Sequence, residues 1–404
     1  MAATFTLDQV EKARERMAGV IHKTPLDYSG TFSRLTGANI YLKLENMQKT
    51  GSFKIRGAYN RISLLSPGER SRGVISASAG NHAQGLAYAA ARSGIKATIV
   101  MPEGSPLSKV MASRGYGAEV ILAGKDYDQA FDRAGEIQRD TGATYVHGFN
   151  DHDVIVGQAT LGLEILEQLA SADAVVLPAG GGGLLGGVSF ALKALRPQIK
   201  VYGVQSAGTP ALYLLRKFGE TGDLPVSATI AEGINVRRPG EIPFELVRKY
   251  VDDIVLVDDE EISQAILMLL ERTKVMAEGA GAAALAAVIH GRLRLDGMNV
   301  VVVVSGGNID INILSTIIER GLVKSGRRLR LKTIIPDRPG SLQKIISLVA
   351  SQGVNIISII HDRSRPGVPL RDAEVEFNLE TTDREHVGGV VASIKEHGYS
   401  VEIL

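Results

Sequence analysis

Five consecutive valines, Val300–Val304, constrain the fold of this chain more than any other segment. Such a run is apolar on both faces, which is typical of a strand in a parallel sheet covered by helices on each side, and it is far shorter than the roughly 20 residues that cross a bilayer. Other short apolar runs also precede longer helical segments. The runs lie at 74–76, 97–100, 119–122, 174–177 and 201–204, and the helical segments at 83–92, 106–114, 127–139, 184–195, 210–218 and 311–319. This alternation predicts an α/β fold.

The composition excludes several classes of protein. The 404 residues suffice for two or three domains. Lys and Arg number 45 against 44 Asp and Glu, so the net charge of +1 does not indicate nucleic acid or an anionic membrane as a partner. The lack of cysteine excludes disulfides, thiolate zinc sites and cysteine-ligated iron–sulfur clusters. The N-terminus has no pattern of a secretory signal, and we expect a cytoplasmic protein.

The pattern changes towards the C-terminus. The basic stretch Lys324–Arg330 has no interleaved aromatic residues, which favours a linker over a nucleic-acid patch. Beyond it, the periodicity predicts strands at 329–335, 354–361, 373–379 and 400–404 and helices at 341–351 and 384–397. The order βαββαβ indicates an α+β domain with an antiparallel sheet. We therefore predict a boundary near residue 325, with domains at 1–325 and 326–404.

Lys54 is the first candidate for chemistry. It lies between Phe53 and Ile55, with Gly51 and Gly57 three residues away on either side. A primary amine in such an apolar setting loses hydration, its pKa falls, and it becomes the kind of nucleophile that forms a Schiff base. The alternative is a half-buried lysine whose stem packs while its ammonium reaches water. This stretch alone leaves both open.

Three small-residue stretches follow apolar runs. In Ser76–Gly85, free N–H groups at a helix start suit an anion such as a carboxylate. In Pro178–Gly187, four consecutive glycines suit a phosphate, and the stretch has neither the ending of an NTPase loop nor the spacing of a dinucleotide fingerprint. Ser305 follows the valines at a strand end, where it is either a ligand or a helix cap. Together with Lys54 these features suit pyridoxal 5′-phosphate.

With these motifs, residues 5 to 322 resemble the threonine/serine dehydratase group of fold-type-II pyridoxal-phosphate enzymes. The resemblance implies two open parallel-sheet α/β subdomains, the smaller one (roughly 48–150) inserted in the larger. It makes Lys54 the Schiff-base lysine. It assigns cofactor contacts to Phe53, Lys54, Asn81, Gly180, Gly181, Gly182, Gly183, Leu184, Gly233 and Ser305, and the substrate carboxylate to Ser78, Ala79, Gly80, Asn81 and His82.

The activity that the resemblance implies is β-elimination. Lys54 would take the α-proton, the β-hydroxyl would leave, and L-threonine would yield 2-oxobutyrate and ammonia, with L-serine yielding pyruvate. Two alternatives are a serine racemase and an amino-acid-sensing protein without catalysis. The racemases of this fold carry a serine where this chain has Ala79, and a carboxylate metal site where it has Gln205, Thr209 and Ala211. Both differences favour the dehydratase.

We expect no metal site. The cluster His147, Asp151, His152 and Asp153 contains metal-ligand residue types, but nothing in the sequence fixes its geometry, and we interpret it as a surface loop.

The C-terminal segment resembles an ACT regulatory domain, with Asp337–Leu342 as the turn between its first strand and helix. This resemblance implies an amino-acid effector, for which isoleucine and valine are the candidates in isoleucine biosynthesis. The alternative is a structural dimerisation module. The same resemblances imply a homo-oligomer, a dimer or a tetramer.

Overall fold

The computed structural model describes residues 4–222, 224 and 228–404, and the chain divides into two units between Ile313 and Leu314. The predicted boundary near 325 follows the end of the helix that spans this division, and it stays a prediction. Within the described residues, no helix has both the length and the apolar character needed to cross a membrane.

The strands and helices are numbered in chain order. The strands are β1 (Leu26–Tyr28), β2 (Asn39–Leu44), β3 (Val74–Ala77), β4 (Ala97–Met101), β5 (Glu119–Leu122), β6 (Thr144–Tyr145), β7 (Ala174–Pro178), β8 (Lys200–Ser206), β9 (Asp253–Val257), β10 (Asn299–Val304), β11 (Arg328–Pro336), β12 (Asn355–Asp362), β13 (Asp372–Glu380) and β14 (Glu402–Ile403). The helices are α1 (Leu7–Met17), α2 (Gly30–Thr36), α3 (Lys54–Ser63), α4 (Pro67–Arg72), α5 (Asn81–Arg92), α6 (Leu107–Gly115), α7 (Tyr127–Thr141), α8 (His152–Gln168), α9 (Gly183–Leu195), α10 (Ala211–Phe218), α11 (Glu241–Tyr250), α12 (Asp259–Met268), α13 (Gly279–Ile289), α14 (Ile311–Lys324), α15 (Ser341–Ser351) and α16 (Arg384–Glu396).

A six-stranded sheet of order β1-β2-β10-β7-β8-β9 forms the larger part of the first unit. The five valines of β10 are fully buried, and β10 pairs in parallel with β2 and β7, which confirms the prediction made from that run. The sheet is not wholly parallel, because β1 pairs antiparallel with β2. This short strand lies at the edge of the sheet and exposes two of its three residues, so it lacks the apolar run that marks the interior strands.

A second, four-stranded sheet of order β5-β4-β3-β6 is parallel throughout. Its strands fall between residues 74 and 145, inside the segment predicted as an inserted subdomain. β3 and β4 are fully buried, while β5 and β6 at the two edges are partly exposed. The α/β class with two open sheets, predicted from the sequence, is confirmed.

Helix α8 connects the two sheets through very close helix packing. A Cβ on Gly57 of α3 would lie 2.6 Å from the carbonyl oxygen of Val154 on α8, and a Cβ on Gly157 of α8 would lie 2.5 Å from that of Arg56 on α3. On its other side, a Cβ on Gly187 of α9 would lie 2.6 Å from the carbonyl oxygen of Ile155. These distances are far below normal contact, so only glycine permits these packings. This close packing fixes the positions of the first turns of α3 and α9 relative to α8.

A buried ionic cluster joins α3 and α8 to the end of β2. Arg56 on α3 donates to both carboxylate oxygens of Glu45, at 2.8 and 2.7 Å, and to Glu164 of α8 at 2.9 Å. Lys43 of β2 donates to Glu164 at 2.6 Å. Burial alone would raise the pKa of Glu45, but Arg56, Lys43 and the hydrogen bond from Thr24 together hold that pKa below its ordinary value. Burial lowers the pKa of Lys43, against the opposing charges of Glu164 and Glu45.

The second unit is an antiparallel sheet of order β12-β13-β11-β14 with helices α15 and α16 packed against it. The predicted βαββαβ order is confirmed. Ala373, Val375 and Phe377 of β13 are fully buried, as alternate residues on one face of a strand can be. Glu374, on the opposite face, is only 8% exposed, and Arg365 Nε lies 3.2 Å from its carboxylate.

We predict that Arg56→Met destabilises the first unit by about 3–5 kcal/mol, since it leaves Glu45 buried without its ionic partner. The thermal unfolding midpoint, followed by circular dichroism, should fall accordingly. Arg14→Met is the matched control, because Arg14 is 45% exposed and its ion pairs contribute at most about 1 kcal/mol. Equal midpoints for the two variants would contradict this role of the cluster.

Candidate active site

One cavity of about 760 Å³ gathers all the predicted site residues. It lies at the carboxyl ends of the parallel strands β3, β7 and β10, where ligands bind in open α/β sheets. The predicted residues that line it are Phe53, Lys54, Ser78, Ala79, Gly80, Asn81, His82, Gly180, Gly181, Gly182, Gly183, Leu184, Gly233 and Ser305. They come from segments more than 250 residues apart, so the fold alone brings them together.

Lys54 is the first residue of α3, and it lines the cavity. Its Nζ donates to the carbonyl oxygen of Gly148 at 2.8 Å and lies 5.3 Å from the centroid of the Phe53 ring. Burial lowers the pKa of Lys54 to about 8, with the charge of Glu278 acting in the opposite direction. A substantial fraction of this amine is therefore neutral near pH 8, as nucleophilic attack requires.

The tetraglycine loop leads into α9 without a side-chain cap. Gly182 has a φ of +93°, in the left-handed region. A side chain on Gly181 would overlap the ring of Phe149, and a Cβ on Gly183 would lie 3.0 Å from Phe149 Cα. Glycine is thus required by the turn and by Phe149. The result is a helix start whose N–H groups face a cavity with no side chain between, which suits a phosphate.

The Ser78–His82 segment leads into α5, whose first two residues are Asn81 and His82 and which also starts without a side-chain cap. Gly80 N donates to Ser78 Oγ at 3.3 Å, which closes a tight turn. His82 Nε2 donates to the carbonyl oxygen of Val146 at 2.9 Å. Burial, with the nearby Lys54 charge, lowers the pKa of His82 to about 3, so this side chain is a neutral imidazole at pH 7.

Three further residues line the cavity: Glu278, Asn308 and His147. The sequence indicated no role for Glu278 or Asn308, and it placed His147 in a surface loop. Glu278 Oε1 accepts from Asn81 Nδ2 at 2.5 Å, and Asn308 Nδ2 donates to Asn81 Oδ1 at 2.8 Å. Burial raises the pKa of Glu278 to about 7. Burial and the Lys54 charge lower the pKa of His147 to about 4.

The acidic and histidine cluster of the sequence divides into two parts. His147 faces the cavity, whereas Asp151 caps α8 by accepting from Val154 N at 2.9 Å, and His152 lies 3.2 Å from Asp153. Across the part of the chain that the structure describes, no three His, Cys, Asp or Glu side chains are arranged to hold a metal ion.

The positions that carry metal ligands in the racemases hold other interactions here. Gln205 Oε1 accepts from Tyr213 N at 2.7 Å, and Thr209 donates to Asn235 Oδ1 at 2.5 Å. Ala211 is fully buried, and Ala79 contributes only a methyl group to the cavity.

Two ion pairs span the rim of the cavity. Lys109 of α6 pairs with Glu232, and Arg237 Nη2 lies 2.8 Å from Asp128 Oδ2 of α7. In each pair, one partner comes from the side of the four-stranded sheet and the other from the side of the six-stranded sheet. Each pair is neutral as a whole, so these contacts join the two sides of the cavity without adding net charge to it.

The comparisons agree with this geometry. Residues 17–306 match the family described as pyridoxal-phosphate dependent enzyme, and residues 330–398 match the ACT domain. The chain belongs to the pyridoxal-phosphate dependent enzymes. It is 50% identical to the L-threonine ammonia-lyase of Thermotoga maritima over 99% of this chain and all of that protein.

Solved structures resemble the first unit. Maize serine racemase is 35% identical with a TM-score of 0.75, over 80% of this chain and 99% of that one. The processed threonine deaminase isoform 2 of Solanum lycopersicum is 36% identical with a TM-score of 0.73, over 79% of this chain and 90% of that one. Pyridoxal phosphate is thus the cofactor, and the uncapped glycine-rich helix start and the low-pKa lysine both fit its phosphate and aldehyde.

We predict that Lys54 of the cofactor-stripped protein reacts with pyridoxal phosphate at a rate that rises with pH to a plateau, with its midpoint near 8, because only the neutral amine is nucleophilic. Borohydride trapping followed by peptide mapping measures this rate at each pH. Lys96, 70% exposed, serves as the internal reference for an amine outside the cavity. Parallel pH profiles for the two lysines would refute the lowered pKa.

Proposed function

We propose that this protein is an L-threonine ammonia-lyase that forms 2-oxobutyrate and ammonia, and that it also converts L-serine to pyruvate. The observation that carries the proposal is the placement of Lys54, an amine with a lowered pKa, in one cavity with the uncapped glycine-rich start of α9. The full-length similarity to the Thermotoga maritima enzyme supports the choice of threonine.

The residues of this chain account for each part of the reaction. When bound, pyridoxal phosphate supplies a carbonyl for the substrate amine and a ring that withdraws electrons from the α-carbon. We assign the phosphate to Gly180–Gly183 and Leu184, the ring nitrogen to Ser305, a hydrogen bond to the ring oxygen to Asn81, and a backbone contact over the ring to Gly233. Phe53 flanks the amine of Lys54.

The substrate carboxylate is assigned to the loop Ser78–His82. Its N–H groups lie at the start of α5, where the helix dipole favours an anion. Lys54 Nζ then takes the α-proton as general base, for which a pKa near 8 is well matched to neutral solution. Loss of this proton and of the β-hydroxyl removes one water, and hydrolysis of the resulting imine consumes one water and releases ammonia.

Racemisation needs a second proton donor on the opposite face of the substrate. Our assignment gives that position to Ala79, whose methyl group carries no exchangeable proton. The proton that Lys54 removes therefore has no replacement from the other side, which supports elimination even though the fold is shared with maize serine racemase.

For the second unit we propose an amino-acid effector, with isoleucine and valine as the first candidates. The match to the ACT domain and the similarity to the Thermotoga maritima protein along the whole chain support this role. We further propose that the protein is a homo-oligomer, a dimer or a tetramer, that acts in the cytoplasm in isoleucine biosynthesis.

We predict that purified protein with pyridoxal phosphate forms 2-oxobutyrate from L-threonine and that Lys54→Ala lowers the rate at least about 10³-fold, since it removes the Schiff-base amine and the general base together. Product is measured by coupling to a 2-oxo acid dehydrogenase. Lys96→Ala is the control for loss of a lysine and should keep the full rate. Absence of product with bound cofactor would refute the ammonia-lyase, and D-serine formed from L-serine would point to the racemase.

We predict that isoleucine or valine changes the threonine concentration needed for half-maximal rate in the full-length protein. An effector with a coupling free energy of about 1–3 kcal/mol shifts that concentration about 5- to 150-fold. Steady-state kinetics with and without each amino acid measure the shift, and alanine serves as the comparison ligand. Identical kinetics under all conditions would favour a purely structural module.

A further inference from the structure

The side chain of Asn81 is held from both ends. Its Nδ2 donates to Glu278 Oε1 at 2.5 Å, and its Oδ1 accepts from Asn308 Nδ2 at 2.8 Å. Asn308 Nδ2 also donates to the carbonyl oxygen of Thr50 at 2.8 Å, which fixes the Asn308 amide itself. Asn308 fixes the orientation of the Asn81 amide, because its Nδ2 can only donate and the carbonyl oxygen of Thr50 can only accept. Asn81 therefore presents its oxygen to Asn308 and its nitrogen to Glu278.

The surrounding backbone is shaped to admit this hydrogen-bonded chain. A side chain on Gly306 would collide with Glu278 Oε1, and its Cβ would lie 3.1 Å from Asn81 Nδ2. A side chain on Gly51 would collide with the amide of Asn308. The two glycine segments also bond to each other, since Gly307 N donates to the carbonyl oxygen of Gly51 at 2.9 Å. Both glycines therefore leave the space that the three polar side chains fill.

We propose that Glu278 and Asn308 are positioning residues that hold the Asn81 amide with its second N–H directed to the bound cofactor, and that Glu278 sets the charge behind that N–H. This inference rests on the proposed function, which assigns the ring oxygen of pyridoxal phosphate to Asn81. Because the amide nitrogen carries two hydrogens and only one is taken by Glu278, Asn81 acts as a donor and never presents its oxygen to the ring.

The charge of Glu278 then affects the bound ring across a single amide. Ionised Glu278 accepts one N–H of Asn81, and its negative charge disfavours negative charge on the ring oxygen that the other N–H contacts. Burial raises the pKa of Glu278 to about 7, Asn81 and the Lys109 and Lys54 charges lower it, and the charge of Glu232 raises it. The carboxyl is therefore neutral below about pH 7 and ionised above it, so the bound cofactor experiences two electrostatic states across neutral pH.

The test compares two substitutions at one position. In Glu278→Gln the amide oxygen still accepts from Asn81, so we expect an affinity for pyridoxal phosphate within about threefold of the unsubstituted protein. In Glu278→Ala that acceptor is lost, Asn81 is held by Asn308 alone, and we expect an affinity about tenfold weaker. Titration of the cofactor-stripped full chain with pyridoxal phosphate, followed by absorbance, gives both dissociation constants.

The pH dependence separates positioning from charge. In the unsubstituted holoenzyme, the visible absorption of the bound cofactor should change with a midpoint near pH 7, and Glu278→Gln should abolish that change. Glu136→Gln is the matched control, because it makes the same chemical change at an exposed carboxylate that pairs with Arg133 and lies outside the cavity lining. This variant should keep both the affinity and the midpoint.

An unaltered pH midpoint in Glu278→Gln would overturn the role of the Glu278 charge. Binding of pyridoxal phosphate by Glu278→Ala as tight as by the unsubstituted protein would overturn its role in positioning Asn81. Should Glu278→Ala not fold, Asn308→Asp takes its place, because it keeps the volume but sets an oxygen against Asn81 Oδ1, and we again expect about tenfold weaker binding. Failure of the unsubstituted protein to bind pyridoxal phosphate would refute the proposed function instead, so the two hypotheses fail separately.

Discussion

The backbone-to-backbone packing of α8 against α3 and α9 is the constraint on which the rest of the first unit depends. Gly57, Gly157 and Gly187 bring these helices so close that an added methyl would lie 2.5–2.6 Å from a carbonyl oxygen. The helix starts on either side of α8 carry Lys54 and the tetraglycine loop. Separating the helices would therefore separate the two groups that must meet the same cofactor, which explains why glycine occupies positions inside helices despite its conformational cost.

The buried ionic cluster restricts the orientation in which α3 packs against its neighbours. Hydrophobic contacts alone allow a helix to slide or rotate by a fraction of a turn, whereas the bidentate pair between Arg56 and Glu45 accepts one arrangement. Arg56 lies two residues after Lys54, so a fixed guanidinium also fixes the start of α3. Burying four charges is costly, and such a cluster contributes little net stability over an apolar equivalent. We interpret it as a device for precise placement of the lysine.

The sequence predicted what is encoded locally. The valine run, the glycine loop and the setting of Lys54 each lie within ten residues, and their burial and chemistry follow from neighbours along the chain. Edge strand β1 was missed because it has no apolar run. Glu278 was missed because its partner Asn81 lies 197 residues away, a pairing that no local pattern contains. The sequence offers only an indirect indication of this pairing. Gly51 lies three residues before Lys54 and Gly306 follows Ser305, and each glycine makes room for a polar side chain that is distant along the chain.

Burial acts on the acid and the base of this cavity in opposite directions, and the result is a matched pair. It lowers the pKa of Lys54 to about 8 and raises that of Glu278 to about 7, so both groups change charge near neutral pH. Between these values both are mostly charged, and the attraction between them opposes the desolvation that shifted them. Above about 8 Lys54 loses its proton while Glu278 stays ionised. A general base therefore becomes available as the cavity becomes more negative, and we infer that the N–H groups of the uncapped helix starts retain the anionic ligands.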